Sequence, residues 1–140
     1  MSFFESYNTA LWGLFVILLT VLVQAIIAAA SKAKQPGAVP GKMDESLSHS
    51  SFVFRSNRTV ANSLENLPVM LGTILLAIMA GVDAAWAGGL VWLYALARAA
   101  HMALYYAIAT DKNPSPRSYF FLLGVLANIV LLVMAAIALA

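Results

Sequence analysis

The chain has 140 residues, of which 62% are hydrophobic and only 10% charged. About a quarter of the residues in a soluble globular domain are charged, so this composition excludes that class and predicts an all-α integral membrane protein. The formal net charge of +2 calls for no nucleic-acid partner, and the lack of cysteine excludes disulfides, thiolate metal sites and a cysteine nucleophile.

Taken in chain order, the first apolar stretch covers about 7–30. No Lys or Arg precedes it, its core is too long for a signal peptide and it has no clear A-x-A cleavage context, so it reads as a retained helix. Residues 31–51 collect Lys32, Lys34, Lys42, Asp44, Glu45, Pro36 and Pro40 and read as an exposed loop. Further apolar stretches follow at about 52–80, 84–109 and 117–140. Each reaches the roughly 20 residues that a membrane-crossing helix needs, which predicts one domain over 1–140, a four-transmembrane-helix bundle. Pro68 cannot donate its backbone hydrogen bond and predicts a kink in the second helix. Small residues such as Gly72, Gly88, Gly89 and Gly124 favour close helix approach, including between subunits. Lys32, Lys34, Lys42, Arg55 and Arg58 flank the first connection, and Lys112 and Arg117 the third. The N-terminus has only Glu5 and the second connection only Asp83, so loops 31–51 and 110–118 are expected in the cytoplasm and both termini outside. Short loops and Ala-rich helices suit a bacterial inner membrane.

The remaining polar residues fall on two helical stripes. Arg58, Asn62 and Glu65 stand at i, i+4 and i+7 on the second helix, and Arg98, His101 and Tyr105 at i, i+3 and i+7 on the third. A charged residue in a membrane helix costs about 2.5 to 3.5 kcal/mol, so such residues usually face an internal cavity and mark a site. Counted from the cytoplasmic helix ends, Arg58 lies level with Tyr105, Asn62 with His101 and Glu65 with Arg98. The deepest rung is roughly 15 Å from those ends at 1.5 Å per residue. The two stripes are therefore expected to face one another, with Glu65 and Arg98 compensating each other, either as part of a site or only to fix helix packing. With Tyr106 and Arg117, the shallower residues would line a cationic cavity suited to a small carboxylate-bearing anion.

Other readings of single residues stay open. Arg117 beside Pro116 also fits a topogenic cation at the start of the fourth helix. Tyr106 and Tyr119 fit an interfacial aromatic belt. His101 has only His49, in the loop, as a second histidine, so no metal site is expected and a packed, hydrogen-bonded histidine is the simpler reading. Gln24 and Asn128 fit interhelical hydrogen bonds.

The segment Asn57-Arg58-Thr59-Val60-Ala61-Asn62-Ser63-Leu64-Glu65-Asn66-Leu67-Pro68, with Ala97-Arg98, His101 and Tyr105 on the third helix and Pro116-Arg117 after it, resembles the MAPEG family. These are membrane-associated proteins in eicosanoid and glutathione metabolism. The resemblance spans nearly the whole chain and implies a homotrimer of four-helix subunits, with glutathione bound between subunits near the cytoplasmic face. It implies that Arg58, Asn62, Glu65, Arg98 and Tyr105 hold glutathione or organise its pocket. His101 stands where some members have tyrosine, and Arg117 matches an arginine that stabilises the glutathione thiolate. Asn57 and Val60 depart from the pattern, standing where one branch has arginine and histidine.

The expected function is that of a glutathione-dependent membrane transferase or peroxidase. Glutathione would be the co-substrate, attacking a hydrophobic electrophile or lipid hydroperoxide that arrives from membrane lipid. Two alternatives remain: a non-catalytic lipid-binding scaffold of the same fold, and a small proton-coupled exporter with Glu65 as its proton carrier.

Overall fold

The computed structural model describes residues 3–140. A single turn, α1 (Phe3–Ser6), precedes four long helices: α2 (Asn8–Ala33), α3 (Phe52–Ala80), α4 (Ala84–Ala107) and α5 (Pro116–Leu139). Helix α2 thus runs to Ala33 rather than Ala30, and α4 ends at Ala107, where Ile108 turns extended. Among the described residues there is no strand.

Three of the helices, α2, α3 and α5, are long and apolar enough to cross a membrane. Helix α4, at 24 residues, has the length but is less apolar, because it carries Trp86, Trp92, Tyr94, Arg98, His101, Tyr105 and Tyr106. Its position explains how these are accommodated. α4 packs against α2, α3 and α5, while α2 and α5 lie on opposite sides of the α3–α4 pair. Arg98 and His101 are therefore enclosed by neighbouring helices.

Local sequence sets the helix ends. Gly81 (φ 77°) closes α3 in the left-handed conformation that glycine adopts without strain. Two residues later the Asp83 carboxylate caps α4 by accepting the N–H groups of Ala85 and Trp86, both at 3.1 Å. Ser115 and Ser118 form a capping box at the start of α5, with Pro116 in its first turn. Loop 34–51 is a run of tight turns closed by backbone bonds such as Ala38 N to Gln35 O and Lys42 N to Val39 O. Within it the backbone N–H and hydroxyl of Ser46 both donate to Asp44, which holds that carboxyl below its ordinary pKa.

α3 continues through Pro68, which withholds one N–H from the helix ladder. Several of its polar residues are satisfied by their own helix. Asn57, Thr59 and Asn66 donate to the carbonyls of Val53, Arg55 and Asn62 at 2.9, 2.8 and 2.7 Å. Such internal bonds let polar side chains persist where no water is available.

The core runs along α4, with Ile17, Met70, Ile74, Val91, Tyr94, Ala127 and Leu131 buried in it. α2 approaches α4 closely at two glycines. A Cβ on Gly13 would lie 2.8 Å from Val91 Cγ1, and one on Gly88 would lie 2.9 Å from Thr9 Cγ2. Tyr7 and Trp92 tie the same end together by donating to Val82 O at 2.6 Å and Thr9 O at 3.0 Å. Gly88→Val is expected to destabilise the fold by about 1 to 3 kcal/mol through overpacking. Gly72→Ala, where an added Cβ meets nothing within 4 Å, should be neutral or slightly stabilising. Thermal unfolding in detergent compares the two, and equal melting temperatures would contradict the tight α2–α4 contact.

Candidate functional site

The polar residues gather at two levels. At the deeper one, Arg98 is 4% exposed. Its Nη2 donates to Asn62 Oδ1 at 2.8 Å and to Ser63 Oγ at 3.0 Å, joining α4 to α3. The expected Glu65–Arg98 ion pair does not form: among the described residues the one ion pair is His49–Asp111. Arg98 is instead held by Asn62 and Ser63, and Glu65, though near Asn62 on the helix, is exposed. The ladder of facing rungs is thus displaced by about one turn, with Arg98 meeting Asn62. Glu65 and Arg98 still line one cavity of about 200 Å³ between α3, α4 and α5, together with Asn66, Tyr94 and Asn128. Arg98 Nε and Asn128 Oδ1 are buried without a hydrogen-bond partner in the chain. The same is true of both amide atoms of Gln24, so the interhelical bonds expected for Gln24 and for the carbonyl of Asn128 are not made within one chain.

The second level lies at the end of the bundle that carries loop 34–51, here termed the loop end. His101, 3% exposed, packs against the rings of Tyr105 and Phe121 with centroids 5.5 and 6.5 Å away. Its Nδ1 has no hydrogen-bond partner in the chain, so it is packed but not hydrogen-bonded there. The Arg117 guanidinium stands 4.0 Å from the centre of the Tyr105 ring, a cation–π arrangement that brings the start of α5 onto the end of α4. Arg117 Nη2 donates to Thr110 O at 3.1 Å, while Nη1 is buried and unpartnered. Tyr106 is half-buried against Phe52, with its hydroxyl unpartnered, whereas Tyr119 is 65% exposed and faces outward.

Two residues in this cluster escaped the sequence reading. His49, treated there as a loop residue, hydrogen-bonds Tyr105 Oη through Nε2 at 3.1 Å and Asp111 Oδ1 through Nδ1 at 2.6 Å. Arg55, counted only as a topogenic cation, is 9% exposed and donates to three carbonyls: His49 and Ser50 from Nη1 at 2.8 and 3.0 Å, and Tyr106 from Nη2 at 3.3 Å. It clamps the loop to the end of α4. A signal for Arg55 existed, because Arg55, Thr59 and Ser63 stand at i, i+4 and i+8 and form a polar stripe beside the one that was read. His49 had none, since sequence spacing does not say where a loop returns.

The stripe that was read divides. Asn62 is partly buried and bonded to Arg98, but Arg58 and Glu65 are exposed on the outer surface of α3. The structure therefore brings together Asn62 with Arg98, and His101 with Tyr105 and Arg117, while it leaves Arg58 and Glu65 outside both groups.

Helices of membrane-crossing length, packed around a central helix whose arginine, histidine and tyrosines turn inward, define an all-helical integral membrane protein with a polar site inside its bundle. Residues 9–137, nearly the whole chain, match the model of the MAPEG family. The chain belongs to that family and is a membrane protein of the glutathione and eicosanoid group. Among curated proteins none matches it.

Arg55→Ala removes three donor contacts and frees the loop. It should destabilise the protein by about 1 to 3 kcal/mol and speed protease cleavage within residues 34–51. Unchanged cleavage would show that the clamp does not hold the loop.

Proposed function

We propose that this chain is a glutathione-dependent membrane transferase or peroxidase, working as a homotrimer whose loop end faces the cytoplasm. The observation that carries this reading is the outward position of Arg58 and Glu65 on a membrane-length helix, beside Asn62 and its bond to Arg98. Charges at that depth are costly against lipid. A neighbouring subunit packed there would cover them and close a pocket with an arginine for a carboxylate and a carboxylate for an amine, the two charged ends of glutathione. In this reading α4 is the fourth span, made tolerable by helices around it.

The chemistry asks little of the protein beyond placement. A free thiol ionises near pH 8.5, and a guanidinium beside it lowers that value and so favours the thiolate. Arg117 is suited to that part, because its Nη1 is buried with no partner in the chain and its plane is held against Tyr105. An electrophile or hydroperoxide dissolved in the bilayer would reach the thiolate from the lipid side, with rate gained from proximity and charge stabilisation. Arg58, Asn62, Glu65, Arg98, His101 and Tyr105 would bind glutathione or shape its pocket.

Glutathione titrated into the detergent-solubilised protein, followed by calorimetry and by ultraviolet thiolate absorbance, should show saturable binding with thiolate formed at neutral pH. Absence of binding would favour the non-catalytic lipid-binding scaffold. Arg117→Ala should lower turnover about 100-fold with little loss of affinity. Arg58→Ala should instead weaken binding by about 1.5 to 3 kcal/mol. Equal effects of both substitutions on both parameters would refute this division of labour.

A further inference from the structure

Three side chains at the loop end stand in a line, of which the proposed function uses only Tyr105. Asp111 Oδ1 lies 2.6 Å from His49 Nδ1, and His49 Nε2 lies 3.1 Å from Tyr105 Oη. An ionised carboxylate only accepts hydrogen bonds, so Nδ1 carries a proton, and whenever the ring is neutral Nε2 is the nitrogen that accepts from the tyrosine hydroxyl. The ring is fixed in this orientation from several sides. Phe54 packs edge-on against it at 5.0 Å, and Arg55 holds the His49 carbonyl at 2.8 Å. Exposure rises along the line, from Tyr105 at 8% to the His49 side chain at 25% and that of Asp111 at 81%. The inner end is thus sheltered beside Arg117, and the outer end meets water.

We infer that Tyr105, His49 and Asp111 form a proton relay that carries the thiol proton of glutathione out to water at the loop end. This rests on the glutathione-dependent reading of the site. In the step, the S–H bond breaks and its proton passes to the Tyr105 oxygen, while the Tyr105 O–H bond breaks and that proton passes to His49 Nε2. The products are a thiolate beside Arg117 and an imidazolium paired with the Asp111 carboxylate, from which a proton leaves to water. Nothing is oxidised or reduced. Tyr105 is the group that touches the thiol; His49 and Asp111 act through it as positioning residues.

The charged and titratable groups that face the relay are Arg117 over the Tyr105 ring, His101 against its other side and Arg55 at the His49 backbone. Only His49 connects Tyr105 to a carboxylate. A histidine that merely tied the loop down would serve equally well in either protonation state, whereas a relay stops when His49 is already protonated.

The test is stopped-flow measurement of thiolate formation when glutathione meets the intact protein in detergent, with proton release followed by an indicator dye across pH. In the wild type the rate should rise with pH, because only an unprotonated Nε2 can take the proton from Tyr105. His49→Gln should slow thiolate formation about 100-fold and flatten that pH dependence, with glutathione affinity retained. Asp111→Asn changes only an exposed residue, so it tests the relay without endangering the fold; it should slow the same step about 10-fold. Tyr105→Phe should add nothing to His49→Gln in the double variant. Wild-type rates and pH profile in Asp111→Asn and His49→Gln would overturn the relay alone. A wild type that binds glutathione without forming thiolate, or does not bind it, would overturn the functional reading and the relay with it.

Discussion

The rest of this bundle depends on the hydrogen bonds from Arg98 to Asn62 and Ser63. A guanidinium held in a helix of membrane length needs acceptors from the protein, because the surrounding hydrocarbon offers none. α3 provides them as two adjacent side chains on its inner edge. This fixes the rotation of α3 against α4, turning Thr59, Ser63 and Met70 inward and leaving Arg58 and Glu65 outside. The outward stripe thus follows from satisfying the inward one. It also explains how α4 keeps an arginine buried inside the bundle.

At the loop end the constraint is different, since water is near and charges can remain solvated. There Arg55 gathers carbonyls from the loop and from α4 that would otherwise lack donors. By fixing the His49 backbone it sets the distance at which the His49 ring meets Tyr105 and Asp111, and Tyr105 in turn is where Arg117 rests. Four separate stretches of chain, loop 34–51, the end of α4, the connection after it and the start of α5, therefore converge on one aromatic ring. Such convergence gives a site its shape.

The helical class was legible because a membrane leaves few choices: a long apolar run between polar connections closes its backbone bonds as a helix. The level of Arg98 was legible only to within about a turn, because depth follows residue count along a helix: the count sets it beside Glu65, and the structure bonds it to Asn62. Rotation was not legible to the same accuracy. Glu65 and Asn62 both fit the depth of Arg98 within a turn, and only side-chain reach and the presence of Ser63 decide between them. His49 lay beyond sequence reasoning for a different reason, since it is placed by tight turns and a remote arginine, neither of which has a period. Gln24 and Asn128 show a third limit: a polar residue in an apolar helix reveals that something must meet it, but not whether that partner belongs to the same chain.

The division between the two levels bears on how a thiol could be activated here. A cation lowers the free energy of the thiolate once formed, and its influence does not require a path for the proton. Formation of the thiolate does, and inside an apolar bundle that path must be built from side chains. Arg117 and Tyr105 lie 4.0 Å apart, guanidinium to ring centre, so in the proposed mechanism stabilising charge and proton acceptor would come to the same point from two different helices. Arg58 and Glu65 are exposed on α3 and lie apart from that point; in the proposed trimer they would act across a boundary between copies of the chain. In the proposed mechanism substrate capture would depend on assembly, while proton transfer and charge stabilisation would be organised within one chain.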